Sequence, residues 1–188
     1  MKVPFLNSLL VSLTIALSFS PAAQAAKSLQ ALEKGELDIT LVDAAQDYIQ
    51  AKGIFNAPPE KAWKILTDFK NFPTYYESVV KSEVRSQKGN TSEVYVKFSF
   101  PFPVGEIWVV NQYTLDPRAK RLSWKMREGN LKNSDGAGSW TLAPYKGGRT
   151  LATYRLNVDG SGASTWLQKQ AIYRTTPAVF QRLNQYMR

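Results

Sequence analysis

The chain contains no histidine and no cysteine, which removes several kinds of chemistry at once. Ser–His–Asp and Cys–His nucleophilic systems cannot be built, nor can zinc sites that need imidazole or thiolate ligands. Acid–base work would fall to carboxylates, tyrosine, lysine or arginine. Glu106 beside Trp108, and Tyr113, stand on strand-like segments and are the polar groups to test; a carboxylate at a wet strand edge is the plainer reading of Glu106. Asp68 stands where a helix should stop and is expected to close that end or to pair with a neighbouring base. No two carboxylates are spaced as an acid–base pair. The phosphate-cradling patterns G-x-G-x-x-G and G-x-x-x-x-G-K are missing, so nucleotide binding has no support. No metal or cofactor is expected. That leaves five tryptophans. Indoles can stack on a ligand's rings or fill a core; core is expected for Trp63, while Trp108, Trp124 and Trp140 are balanced between the two roles.

The elements that must position these groups are organised around residues 56–76, NAPPEKAWKILTDFKNFPTYY. Pro58 and Pro59 end an extended run and pre-set φ for a helix start, where a missing N–H costs nothing. Ala62, Ile65, Leu66 and Phe69 then recur at helical spacing on one face, with Trp63 at its flank. The run from Asp68 to Pro73 breaks this helix, and Tyr75-Tyr76 leads into a second short turn. An amphipathic helix entered from a strand lays its apolar face on the sheet. Residues 48–55 read as the first main strand, with residues 37–41 as a short edge strand before it. Six strands follow, over residues 79–85, 91–100, 106–113, 121–127, 139–143 and 150–158, joined by turns rich in glycine, proline or asparagine. The clearest is 91–100, where Val94, Val96, Phe98 and Phe100 alternate with Glu93, Tyr95, Lys97 and Ser99. Hairpin spacing predicts one antiparallel meander. Residues 164–188 are predicted helical, with Thr176 as a cap and Pro177 at the first position of a final portion, so a kink or restart is expected there. Val179, Phe180, Leu183 and Tyr186 or Met187 carry its apolar stripe.

Pro-x-x-x-x-Trp-x-x-Leu-Thr-Asp-Phe followed by Phe-Pro-x-Tyr, from residue 58 onward, resembles the helix-grip superfamily of START-like proteins (SRPBCC), which includes polyketide cyclase/dehydrase and coenzyme Q-binding relatives. Leu122-Ser-Trp124, Glu128-Gly129-Asn130, Gly138-Ser139-Trp140-Thr-Leu142, residues 150–154 and Trp166-Leu167 follow in the order of those proteins. The resemblance spans residues 48–188. It implies an α+β helix-grip fold: a curved antiparallel sheet around a long C-terminal helix, two short helices after the first strand, and an apolar cavity within. The activity it implies is binding or carriage of a lipophilic molecule such as a lipid, quinone or polyketide-like compound. The alternatives are a cyclase/aromatase- or hydrolase-like enzyme using a cavity carboxylate or tyrosine, and an envelope interaction protein using a basic face. Strand alternation nominates Val96, Phe98, Trp108, Trp124 and Trp140 as ligand-binding residues, with Phe180 on the helical wall. The mouth is expected where the 129–138 loop and the loop carrying Phe102 approach the C-terminal helix.

Residues 1–25 read as a secretory signal peptide: Lys2, an apolar run from Val3 to Phe19, and a small-residue cleavage pattern ending at Ala25. A polar lead-in, residues 26–45, precedes the domain, residues 46–188. The expected location is therefore periplasmic or extracellular, and the expected state a monomer. Lysine and arginine number 24 against 15 acidic residues. Such an excess suits an anionic membrane surface or a solvated convex face; export argues against nucleic acid as a partner.

Overall fold

The computed structural model describes residues 29–43, 48–102, 105–130, 136–157 and 165–188, with side chains excepted at 41–43, 48 and 165–172. The expected signal peptide lies outside the described residues. Strands are β1 (Asp38–Asp43), β2 (Tyr48–Phe55), β3 (Val79–Lys88), β4 (Thr91–Ser99), β5 (Glu106–Asp116), β6 (Arg121–Gly129), β7 (Ala137–Tyr145) and β8 (Arg149–Asn157). They form one sheet in the order β1-β2-β8-β7-β6-β5-β4-β3, every pairing antiparallel. Six strands are thus a plain meander, and the first main strand closes onto the last. Between β2 and β3 come helix α1 (Pro59–Thr67), a 3₁₀ turn (Phe69–Asn71) and helix α2 (Phe72–Tyr75). Helix α3 (Thr165–Tyr186) ends the chain. This is the α+β helix-grip architecture expected from the sequence.

Local chemistry accounts for the elements. Pro59 occupies the first helical position of α1, where its missing N–H is no loss. Ala62, Ile65 and Leu66 are buried, and Glu60, Lys61 and Lys64 are exposed, so the periodic face is the packed one. Asp68 closes the α1–α2 corner by accepting from the Tyr75 hydroxyl at 2.8 Å and the Asn71 amide at 2.9 Å; among the described residues no base pairs with it. Thr150, fully buried at the start of β8, donates to the Ala57 carbonyl at 2.7 Å and ties α1's entry to the sheet.

Helix α3 runs through Pro177 without the restart that is one of the two outcomes expected there. Proline removes one helical hydrogen bond, but the turns that follow it bury Phe180, Leu183 and Met187 against the sheet and α1. That docking favours a helix continuous past Pro177. Near its end, Asn184 completes β2 where β1 stops. β1 pairs only as far as Asp38 with Lys52, leaving the last residues of β2 without a neighbour on that side. The Asn184 amide donates to the Ile54 carbonyl at 3.0 Å and accepts from the Asn56 N–H at 2.8 Å, filling the vacant strand's role with one side chain.

Candidate functional site

The register decides which side chains face inward. It sets Ser82 against Val96 and Val96 against Val109; Phe98 against Ile107; Val94 against Asn111, and Asn111 against Met126. It likewise sets Ser92 against Tyr113, Tyr113 against Trp124, and Trp124 against Gly138; Leu122, Trp140 and Tyr154 form a further row. Side chains on directly paired residues share a face, so all of these stand on the inner side. Burial along that face is uneven. Toward the end where β2 finishes, Phe55, Leu122, Trp140, Leu142, Ala152, Phe180 and Leu183 are all buried. Toward the opposite end, Phe98, Ile107, Trp124, Met126, Tyr154 and Leu156 are only half-buried, interleaved with buried Val94, Val96 and Val109. One end of the interior is solid core; the other keeps apolar and aromatic surface within reach of a ligand.

A chain of rings runs across the interior. Phe180, Phe55 and Trp140 pack together with centroids 5.1 to 5.8 Å apart. Tyr154 lies 4.5 Å from Trp140 and stacks on Trp124 at 6.0 Å; Trp124 reaches Tyr113 at 6.0 Å. Tyr113 lies 4.5 Å from Phe69 and 6.3 Å from Phe72, and Phe72 meets Tyr76 edge-on at 5.0 Å. Gly138 is required for this chain: a Cβ there would stand 2.2 Å from the Trp124 ring and 2.6 Å from the Arg155 carbonyl. Glycine lets the indole lie flat on β7.

Polar atoms are few on this face, and none of those described is ionised. Burial pushes the Tyr113 phenol up to about 12, against a smaller opposing effect of the Asn111 amide, which donates to its oxygen at 3.4 Å. Burial also pushes the phenols of Tyr76 and Tyr154 upward, with the nearby Tyr113 phenol adding to both shifts. All three are un-ionised O–H groups at neutral pH. The hydroxyls of Tyr76 and Tyr154 have no protein partner among the described residues, and the Ser82 Oγ is buried without one. Such a set can donate hydrogen bonds inside an apolar space; it supplies no base, no metal-ligating cluster and no fixed charge.

Of the residues nominated by alternation, Val96, Phe98 and Trp124 share the inner face. Trp140 and Phe180, each 3% exposed, belong with Phe55 to the solid end. Trp108 is a correction: it pairs with Lys97 and stacks on Tyr95 at 6.0 Å on the outer face. The run Ile107-Trp108-Val109-Val110 is apolar throughout, so β5 alone hides its own alternation; only pairing to β4 settles it. Glu106 is likewise outside, exposed and bonded to Lys97 at 2.8 Å, whereas Tyr113 is inside. Sequence reading passed over Tyr76, Asn111, Ser82 and Tyr154. Tyr154 could have been found in the alternation Ala152, Tyr154, Leu156; Tyr76 follows a turn and carries no periodic signal. The expected mouth falls at the half-buried end, but residues 103–104 and 131–135 of its two loops lie outside the described residues. A groove of about 580 Å³ occupies the other end, between β1–β2 and α3, lined by residues including Leu37, Ile39, Ile54, Phe180, Asn184 and Arg188.

The sequence matches the family model for polyketide cyclase / dehydrase and lipid transport over residues 49–187. No curated protein matches it significantly. Among solved structures, the Zhui aromatase/cyclase from Streptomyces sp. R1128 superposes with a TM-score of 0.65 at 12% identity, covering 73% of this chain and 90% of that one. A STAR-related lipid transfer protein fragment from Xanthomonas axonopodis gives 0.62 at 19% identity, covering 80% and 92%. Human STARD10 gives 0.63 at 13% identity, covering 90% and 80%. At these identities the likeness is one of fold.

Proposed function

The chain belongs to the polyketide cyclase / dehydrase and lipid transport family, and from that premise we propose that it is an exported carrier holding a lipophilic small molecule in its interior. A lipid, a quinone or a polyketide-like compound fits the class. The observation that carries this reading is the half-buried inner face of Phe98, Ile107, Trp124, Met126, Tyr154 and Leu156, apolar surface that the fold leaves partly exposed. Export rests on the signal-like leader, and the basic excess suits delivery at an anionic membrane surface. Native mass spectrometry of the exported protein, expected to release a co-purified lipophile, and tryptophan fluorescence titrated with lipophiles, expected to saturate, test the carrier. Absence of both signals would overturn it.

The alternative, a cyclase/aromatase- or hydrolase-like enzyme, would draw on the same phenols. Their raised ionisation leaves them donors without a partner base at neutral pH, which is why carriage is the reading preferred.

A further inference from the structure

We propose that the interior selects an uncharged, ring-bearing lipophile through a carbonyl or equivalent acceptor oxygen, received by the unpartnered hydroxyls of Tyr76 and Tyr154, and that it discriminates against carboxylates and phosphates. The inference rests on the carrier reading and narrows it from lipophiles in general to a recognisable chemistry.

Three observations converge. First, the surface left available is aromatic: Trp124 stacks on Tyr154 at 6.0 Å with planes 26° apart, and offers its neighbours a flat platform. A ring system gains more from it than a flexible acyl chain does. Second, the polar groups of the same interior are donors in search of an acceptor. Among the described residues the Tyr76 and Tyr154 hydroxyls make no hydrogen bond, and Ser82, set against Val96 on the same face, has a buried hydroxyl without one. The buried Ser82 hydroxyl carries a cost that a ligand oxygen can remove. Tyr113 differs, since the Asn111 amide already reaches it. Third, charge is missing where an ionised headgroup would need it. Among the described residues, every side chain that the register sets on the inner face of β3 to β8 is apolar, hydroxyl or amide. An anion brought there would lose its water and meet no cation. The competing feature is Arg182 on α3, whose buried Nε has no partner while another guanidinium nitrogen donates to the Thr74 carbonyl at 3.3 Å. It lies at the seam with α2, and the experiment weighs it directly.

Three probes of one ring size separate the contributions: 2-methyl-1,4-naphthoquinone, 2-methylnaphthalene and 2-naphthoate, measured by equilibrium dialysis against the full chain. The chain has no cysteine for the quinone to alkylate. The quinone is expected to bind about tenfold or more tightly than naphthoate, and more tightly than the hydrocarbon. Tyr76→Phe and Tyr154→Phe, which keep the rings, should each weaken the quinone about three- to tenfold, the worth of one neutral hydrogen bond. Neither should change the hydrocarbon's affinity or the urea midpoint. Ser82→Ala supplies a second variant should either phenylalanine variant misfold. Naphthoate binding as tightly as the quinone, and lost in Arg182→Gln, would overturn the inference. So would equal losses for all three probes in the tyrosine variants, which would mean packing alone. Hydrocarbon binding without any quinone preference removes this inference and leaves the carrier standing; failure of all three probes removes both.

Discussion

Trp124 and Trp140 are one strand apart on the same face, yet they call for different tests. Trp140 is 3% exposed and packs on Phe55, Phe180 and Tyr154. Replacing it by alanine removes a buried ring from solid core, so Trp140→Ala should cost about 3–5 kcal/mol in urea unfolding. Trp124 is half-buried, and on the proposed carrier reading its exposed part meets a ligand. Trp124→Ala should therefore lower ligand affinity more than stability when both are measured on one preparation; equal losses would make Trp124 core as well. The phenols give a test that needs no ligand. Tyr76, Tyr113 and Tyr154 are all held above the ordinary tyrosine range by burial, Tyr113 to about 12. Above pH 10 the unfolded chain loses these protons while the folded one keeps them. Stability is thus whole below pH 10 and is lost as pH rises through the folded values. Absorbance at 295 nm should show phenols that fail to ionise at pH 11 in the native protein and ionise on adding urea. Full ionisation of every tyrosine at pH 11 with the fold intact would contradict an enclosed cluster.

At the scale of elements, α3 and β2 hold each other. Asn184 makes two hydrogen bonds to the open end of β2, and Phe180 presses on Gly53, where a Cβ would come within 2.7 Å of its ring. Asn184→Ala should cost about 1–3 kcal/mol, because it leaves one N–H and one carbonyl of the strand without partners, and Phe180→Ala about 3–5 kcal/mol. Amide exchange should quicken at Asn56 in the first variant. No change at Asn56 would mean that water replaces the side chain at no cost. The same elements explain what could be read in advance. Strands β2, β4 and β6 alternate cleanly, and Pro58-Pro59 with the spacing after it specifies α1, so their order and boundaries were legible. Two features were not. The apolar run of β5 carries no alternation, which sent Trp108 to the wrong face; the helix through Pro177 is held by docking, and docking is not a local property of residues 176 and 177. The phenols escaped for a related reason: Tyr76 and Tyr154 are distant in sequence and join one chain of rings, through Phe72, Tyr113 and Trp124, only once the sheet and α2 are assembled.

Over the whole molecule, the two ends of the sheet differ in character. Where β2 finishes, the interior is filled and α1 with the last turns of α3 seals it; where β4 turns into β5, inner-face residues are half-buried and Phe102 stands 96% exposed at the tip. The register puts that tip beyond the Ser99–Glu106 pair, next to Phe98 and Ile107 on the inner face. On the proposed carrier reading, an exposed phenylalanine at that tip suits a molecule that passes its ligand to or from a bilayer, and the net charge of +9 supplies attraction to an anionic one. The carrier is therefore expected to bind phosphatidylglycerol-containing vesicles and to ignore purely zwitterionic ones. That attraction should fade as salt rises past about 0.15 M, where screening acts over about 8 Å. Phe102→Ser should weaken vesicle binding at every salt concentration and leave the urea midpoint unchanged, since the side chain buries almost nothing in the fold. A salt-sensitive interaction indifferent to Phe102→Ser would locate contact on a basic face elsewhere. Equal binding to both vesicle types would remove charge from the argument, and with it the reason for the basic excess proposed here.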